Sequence, residues 1–269
     1  MQHVVVTTRS GSQYKGILQG TFDNKFSAIR GEGGGSFNIE EIPGRVYVDL
    51  GLDSADEAKD LGIAIGDMVT YDSQMHKMTK EGVVCGKSFD DRAGCYVMAR
   101  VMEELSKTKH NNEVYGVGTS SEEVGVRGST TSVQVVNPDV AIVLDTNCNG
   151  DEFDRSSDNH CKLGQGPIIV QGDRRTIDDK KFVALARDVA ADLKLNWQDD
   201  IFMSGGTDAG AIQLKNGGVP VVTICVPLRY IHCSYSICNL NDCEDTVKLV
   251  VELVRRLDAK TVADLYKFV

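Results

Sequence analysis

The sequence predicts an α/β protein: a mixed sheet with helices on both faces, joined to a small β-barrel-like domain. Three observations carry this. Up to about Gly86, short β-type runs are separated by glycine. From Lys87 onward, β-type runs alternate with helical periodicity, the pattern of a sheet covered by helices. The length of 269 residues, with 41% apolar content, suffices for one large domain or two modest ones. The expected division is residues 1–86 for the small β domain and 87–269 for the larger one.

In the first region His3–Thr8, Gln13–Leu18, Arg45–Leu50, Met68–Tyr71 and Gly82–Cys85 have the length and composition of strands. Ser54 precedes Glu57 by three residues, the spacing of a capping box, so a short helix is expected there. The stretch Gly31-Glu32-Gly33-Gly34-Gly35 lacks the Lys-Ser/Thr and the helix pattern of a phosphate loop, and reads as a hairpin loop.

In the second region Ala93, Val97, Met98, Val101, Met102 and Leu105 recur at helical spacing after Asp90 and Asp91. A strand (Glu113–Thr119), a helix (Gly125–Val136) and a strand (Val140–Asp145) are expected next. After a polar insert come a strand near Pro167–Val170, helices over Asp178–Leu193 and Ala209–Leu214, and a strand over Val219–Val226. The final helix, Asp242–Leu257, buries Val247, Val250, Val251 and Val254.

Composition removes several function classes. A net charge of −10 argues against a nucleic-acid groove or an anionic membrane surface, since both need clustered Lys and Arg. The N-terminal residues lack the pattern of a signal peptide, and apolar runs such as Val219–Val226 are too short to span a bilayer. The cysteines are scattered; Cys85, Cys95 and Cys225 sit in apolar runs, and Cys233, Cys238 and Cys243 repeat every five residues, not as C-x-x-C. Reduced thiols in a cytoplasmic protein are the expectation.

In an open α/β sheet, ligands bind beyond the carboxyl ends of the strands. Asp90-Asp91, Glu122-Glu123, Asp145 and His232 all fall at such positions in this reading. Each alone has a plainer explanation: a helix cap, a solvated acidic face, a surface histidine. Together, carboxylates and an imidazole form a set suited to zinc, cobalt or manganese. Glu122 and Glu123, as neighbours, point in different directions, so one can bind metal while the other faces a metal-activated water and takes its proton.

These residues lie in blocks that resemble the tetrahedral-particle aminopeptidases, the glutamyl, leucyl and lysyl aminopeptidases often labelled endoglucanases. The blocks are Gly86-Lys87-Ser88-Phe89-Asp90-Asp91-Arg92-Ala93-Gly94-Cys95, Ser121–Gly128, Pro138–Asp145, Lys162–Pro167, Gly205–Ile212 and Val226–His232, in family order. The resemblance implies that Asp90 bridges two metal ions, that Glu122 is the general base, and that Glu123 and His232 hold one metal and Asp145 the other. It also implies zinc or cobalt as cofactor, a peptide substrate, and self-association through the small β domain into anything from a dimer to a dodecamer. A fifth ligand of the family, the His of a His-x-Asp motif, has no counterpart here: His3 lacks the Asp, and His76 and His160 lie in other contexts. One tight metal site is therefore expected, at the Glu123 and His232 side. The function implied is a metallo-aminopeptidase impaired by that missing ligand, with an inactive assembly subunit as the alternative. Glycoside hydrolysis fits poorly, because facing carboxyls about 5–5.5 Å apart across a sugar are not what a sequence-adjacent pair provides. No G-x-S-x-G elbow is present for serine chemistry.

Overall fold

The computed structural model describes residues 2–20, 46–148, 161–203 and 205–267; the glycine-rich 31–35 stretch and His160 lie outside them. The chain forms two compact units, Met1–Met75 and His76–Val269.

The smaller unit carries an antiparallel sheet of β1 (Gln2–Thr7), β2 (Gln13–Gly20), β3 (Val46–Asp49) and β4 (Met68–Tyr71), in the order β3-β2-β1-β4. Val4 and Val6, two residues apart, are buried, as the pleat requires. The helix expected after Ser54 forms as α1 (Ala55–Asp60): Glu57 N donates to the Ser54 cap at Oγ, 3.2 Å, while Glu57 Oε2 accepts from Asp53 N, one residue before the cap, at 3.1 Å.

The larger unit is built on a seven-stranded mixed sheet. Its strands are β5 (His76–Lys77), β6 (Val83–Gly86), β7 (Ala141–Cys148), β8 (Ile168–Asp173), β9 (Gln198–Phe202), β10 (Val221–Arg229) and β11 (Ser236–Asn239). The order is β5-β6-β11-β10-β8-β9, with β7 parallel to β10. The boundary read from the sequence at residue 86 thus moves to Met75, because β6 pairs with β11 in this sheet and not with the small unit.

Strand β10 explains the layers. Val222, Ile224, Val226 and Leu228 alternate onto one face and join the main core with α2 (Phe89–Ser106), α4 (Lys180–Asp192) and α6 (Leu240–Arg256). Val221 points to the opposite face, where it packs with Val143 and with Ala209 and Ile212 of α5 (Ala209–Ile212). Helix α3 (Arg127–Val136) and the short α7 (Ala259–Leu265) complete the described elements.

Two sequence readings change. Residues Glu113–Thr119 form no strand: they pair with none of the described strands, and Tyr115 and Val117 are exposed. Strand composition without a hydrogen-bonding neighbour does not make a strand. Cys95, placed in the core by its apolar context, is exposed on α2, while Cys225, Cys238 and Cys243 are buried. Among the described residues no helix is long and apolar enough to cross a membrane.

Candidate metal centre

The site is assembled at one end of the larger sheet. Gly86, the last residue of β6, pairs with Ser236, the first of β11. The turn leaving β6 and the turn entering β11 therefore emerge side by side, and they carry Asp90 and His232. Strand β10 delivers His232 three residues beyond its own end, while β7, in register with β10, brings Asp145 opposite Cys225. Asp145 lies inside β7 and not at its end, because pairing continues to Cys148 opposite Leu228.

Local backbone features aim these side chains. Asp90 and Asp91 have non-helical dihedrals, and the bond between them is cis. Asp91 Oδ1 accepts from Gly94 N at 2.9 Å, so Asp91 is the residue that caps the helix, and Asp90 is left to face the site. Gly94 is required there: a Cβ would sit 2.4 Å from Asp91 Oδ2. Ser88, Ser121 and His232 all take left-handed φ values of 58–59°, uncommon outside glycine and concentrated at functional sites. The Glu122–Glu123 turn is fixed by Gly125 N and Val126 N donating to Glu122 O, and by Gly128 N donating to Ser120 O at 2.8 Å.

The result brings three of the expected residues together. Asp90 Oδ2 lies 3.1 Å and Glu123 Oε2 3.8 Å from His232 Nε2, and donor atoms of all three fall within 4.8 Å of one another. Ligands of a tetrahedral zinc at about 2.0–2.1 Å stand about 3.3 Å apart, close to the 3.1 Å between Asp90 and His232, and Glu123 at 3.8 Å from His232 would move closer on an ion. The other oxygen of Asp90, Oδ1, accepts from Thr146 Oγ1 at 3.0 Å, next to Asp145. Asp145 is outside the three-residue cluster; its Oδ1 accepts from Thr146 N at 2.7 Å.

The electrostatics are those of a crowded acidic pocket. Burial, then the charges of Asp208, Glu123 and Asp90, push the Glu122 carboxyl up to about 7. Burial raises Asp91 to about 8 against the Gly94 hydrogen bond, with Asp90, Asp208 and Glu122 adding to the rise. Asp145 is raised well above the carboxylate range by burial and by Asp91. Burial and mutual repulsion of these carboxylates disfavour their charged forms, and a nearby cation would offset both.

Three contributors had no role in the sequence reading. Thr146 orients Asp90. Asp208 accepts from Thr119 Oγ1 at 2.7 Å through Oδ2, while its buried Oδ1 has no hydrogen-bond partner among the described residues. Asp173 is buried and accepts from Arg175 N, Thr176 N and both the N and Oγ1 of Thr207, tying β8 to the glycine-rich 205–210 block. A conspicuous sequence block marked Asp208, but nothing local marked Thr146 or Asp173.

Residues 1–249 match the family described as M42 glutamyl aminopeptidase. Putative aminopeptidase FrvX of Escherichia coli K12 is 32% identical over 98% of this chain and 72% of its own length. The structure of a TET aminopeptidase from a marine-sediment Thaumarchaeota archaeon aligns with a TM-score of 0.86 at 32% identity, covering 98% of this chain and 73% of that one. The Pyrococcus horikoshii TET1 peptidase, described as assembling into a tetrahedron or a large octahedral shell, aligns at 0.76 and 25% identity over 95% of this chain and 72% of that one. The chain spans 58% to 72% of the length of the curated relatives it matches.

Proposed function

Because the chain belongs to the M42 glutamyl aminopeptidase family, we propose that it is a metallo-aminopeptidase that releases N-terminal residues from peptides. The observation that supports this best is the convergence of Asp90 Oδ2, Glu123 Oε2 and His232 Nε2 within 4.8 Å. Two carboxylate oxygens and an imidazole nitrogen are donors that zinc and cobalt accept, and three protein ligands leave a position open for chemistry. A divalent ion held by Asp90, Glu123 and His232 would supply Lewis acidity toward the scissile carbonyl and would lower the pKa of a water.

The remaining work falls to the chain's own groups. Glu122, beside Glu123 and raised by burial and by neighbouring carboxylates, is the group assigned to take a proton from water and return it to the leaving amine. Thr146 fixes the rotation of the Asp90 carboxylate through Oδ1, leaving Oδ2 toward His232. Asp90 Oδ1 also faces the Asp145 side, which supports a bridging role for Asp90 if a second ion binds there. That second position has carboxylates and no imidazole in the ligand set proposed here, so it would hold zinc weakly and activity of the 269-residue chain would be low.

That asymmetry supports a second reading, in which the chain is an inactive relative retained as a subunit of an assembly. Self-association through the small β unit is part of both readings, in keeping with the shells described for the Pyrococcus horikoshii protein. Hydrolysis of aminoacyl reporters by zinc- or cobalt-loaded protein separates them. Turnover abolished by chelation and restored by metal supports the enzyme; metal uptake without turnover supports the subunit.

A further inference from the structure

Among the carboxylates of the site, Arg175 supplies the opposing charge. Its side chain lies along the glycine-rich block: a Cβ on Gly206 would stand 2.6 Å from Arg175 Cδ, and one on Gly210 would stand 2.8 Å from Arg175 Cβ. Both glycines are thus needed to leave a shelf for the arginine stem. The backbone of Arg175 is held on both sides, its N donating to Asp173 Oδ1 at 2.6 Å and its O accepting from Gln213 Nε2 at 2.7 Å. The block it lies on is tied by Asp208 to Thr119, just ahead of Glu122, and the charge of Arg175 acts on Glu122. Among the described residues, no hydrogen bond or ion pair engages the guanidinium, and Arg175 is exposed.

We propose that Arg175 binds a carboxylate of the peptide substrate and so sets which peptides the site takes. The proposal rests on the aminopeptidase reading above. An arginine held by its backbone and stem, with its head unpaired, is pre-organised to receive a planar anion through two parallel N–H bonds. Among the charges that act on Glu122, those of Asp208, Glu123 and Asp90 are negative and that of Arg175 is positive, so Arg175 offers an anionic ligand a protein partner beside the carboxylates. The carboxylate could belong to an acidic side chain on the first residue or to the free C-terminus of a dipeptide; both present the same group to the guanidinium.

Calorimetry on the zinc-loaded full chain tests this with glutamyl and leucyl hydroxamate, and with Leu-Gly and Leu-Gly amide as competitors of leucyl hydroxamate. Arg175→Ala is expected to weaken one carboxylate-bearing ligand about ten- to a hundredfold, the range for a charge-assisted pair, and to leave leucyl hydroxamate unchanged. Arg175→Lys should retain part of the affinity. Selective loss for glutamyl hydroxamate assigns the side-chain carboxylate, and selective loss for Leu-Gly over its amide assigns the C-terminus. Equal weakening of every ligand, or no change in any, overturns the proposal while leaving the aminopeptidase reading in place. Failure of the wild-type chain to bind leucyl hydroxamate overturns both. Thermal melting of each variant shows whether folding is intact.

Discussion

His232 Nε2 stands 3.1 Å from Asp90 Oδ2, and the sheet is what brings them together, through the pairing of Gly86 with Ser236. With Glu123 this contact forms the group of donors to which we assign one metal ion. Calorimetric titration of the chain with zinc is expected to show about one tight ion per chain. His232→Ala, which removes the only nitrogen donor of the cluster, should abolish it. Two tight sites of equal affinity would refute this ligand assignment.

Glu122 and Glu123 are expected to separate cleanly. Glu122→Gln should reduce peptidase turnover about 10²–10⁴-fold, the usual contribution of a general base, with bound zinc nearly unchanged. Glu123→Gln should lower zinc affinity. If Glu122→Gln loses metal along with activity, the roles of the pair are reversed.

Much of this was legible in the sequence because it depends on local patterning. The alternation of strand runs with helical spacing anticipated most of the described elements, and polar residues beyond strand ends pointed to Asp90 and His232; Glu123 joins them although the strand expected before it does not form. What escaped is set by tertiary neighbours. Strand β11 is only four residues, Ser-Ile-Cys-Asn, and exists because β6 and β10 flank it. Glu113–Thr119 has strand composition but no described neighbour to pair with. Asp173 and Arg175 look like ordinary polar loop residues until the 205–210 block folds over them.

The small β unit should mediate self-association. Val69, Met68, Tyr47 and Tyr71 are all exposed on its strands, and β3 and β4 are the edges of its sheet among the described residues. Exposed edges with apolar side chains pair readily. Light scattering at micromolar concentration is expected to report an oligomer, and Met68→Lys with Val69→Lys to shift it toward smaller species. A monomeric wild-type chain at that concentration would count against this surface.

Asp178 should make the fold less stable as pH rises. It is buried where α4 begins, and its carboxylate accepts from Thr223 N at 2.6 Å and from Thr223 Oγ1 at 3.4 Å. These bonds favour the charged form, yet burial outweighs them and lifts the pKa to about 7. The unfolded chain titrates this group near 4. The native state therefore holds the proton more tightly, and the contribution to stability is full below about pH 4 and lost as pH climbs through about 7. Asparagine keeps an acceptor for Thr223 N and carries no charge to desolvate. With metal chelated, the wild-type melting temperature is expected to fall between pH 6 and pH 8, and Asp178→Asn to melt with a smaller fall over that interval. The carboxylates of the metal site contribute a fall of the same sign in both proteins, so the difference between wild type and variant isolates Asp178. Parallel pH profiles for the two would show that Asp178 stays ionised in the fold, with the Thr223 hydrogen bonds outweighing its burial.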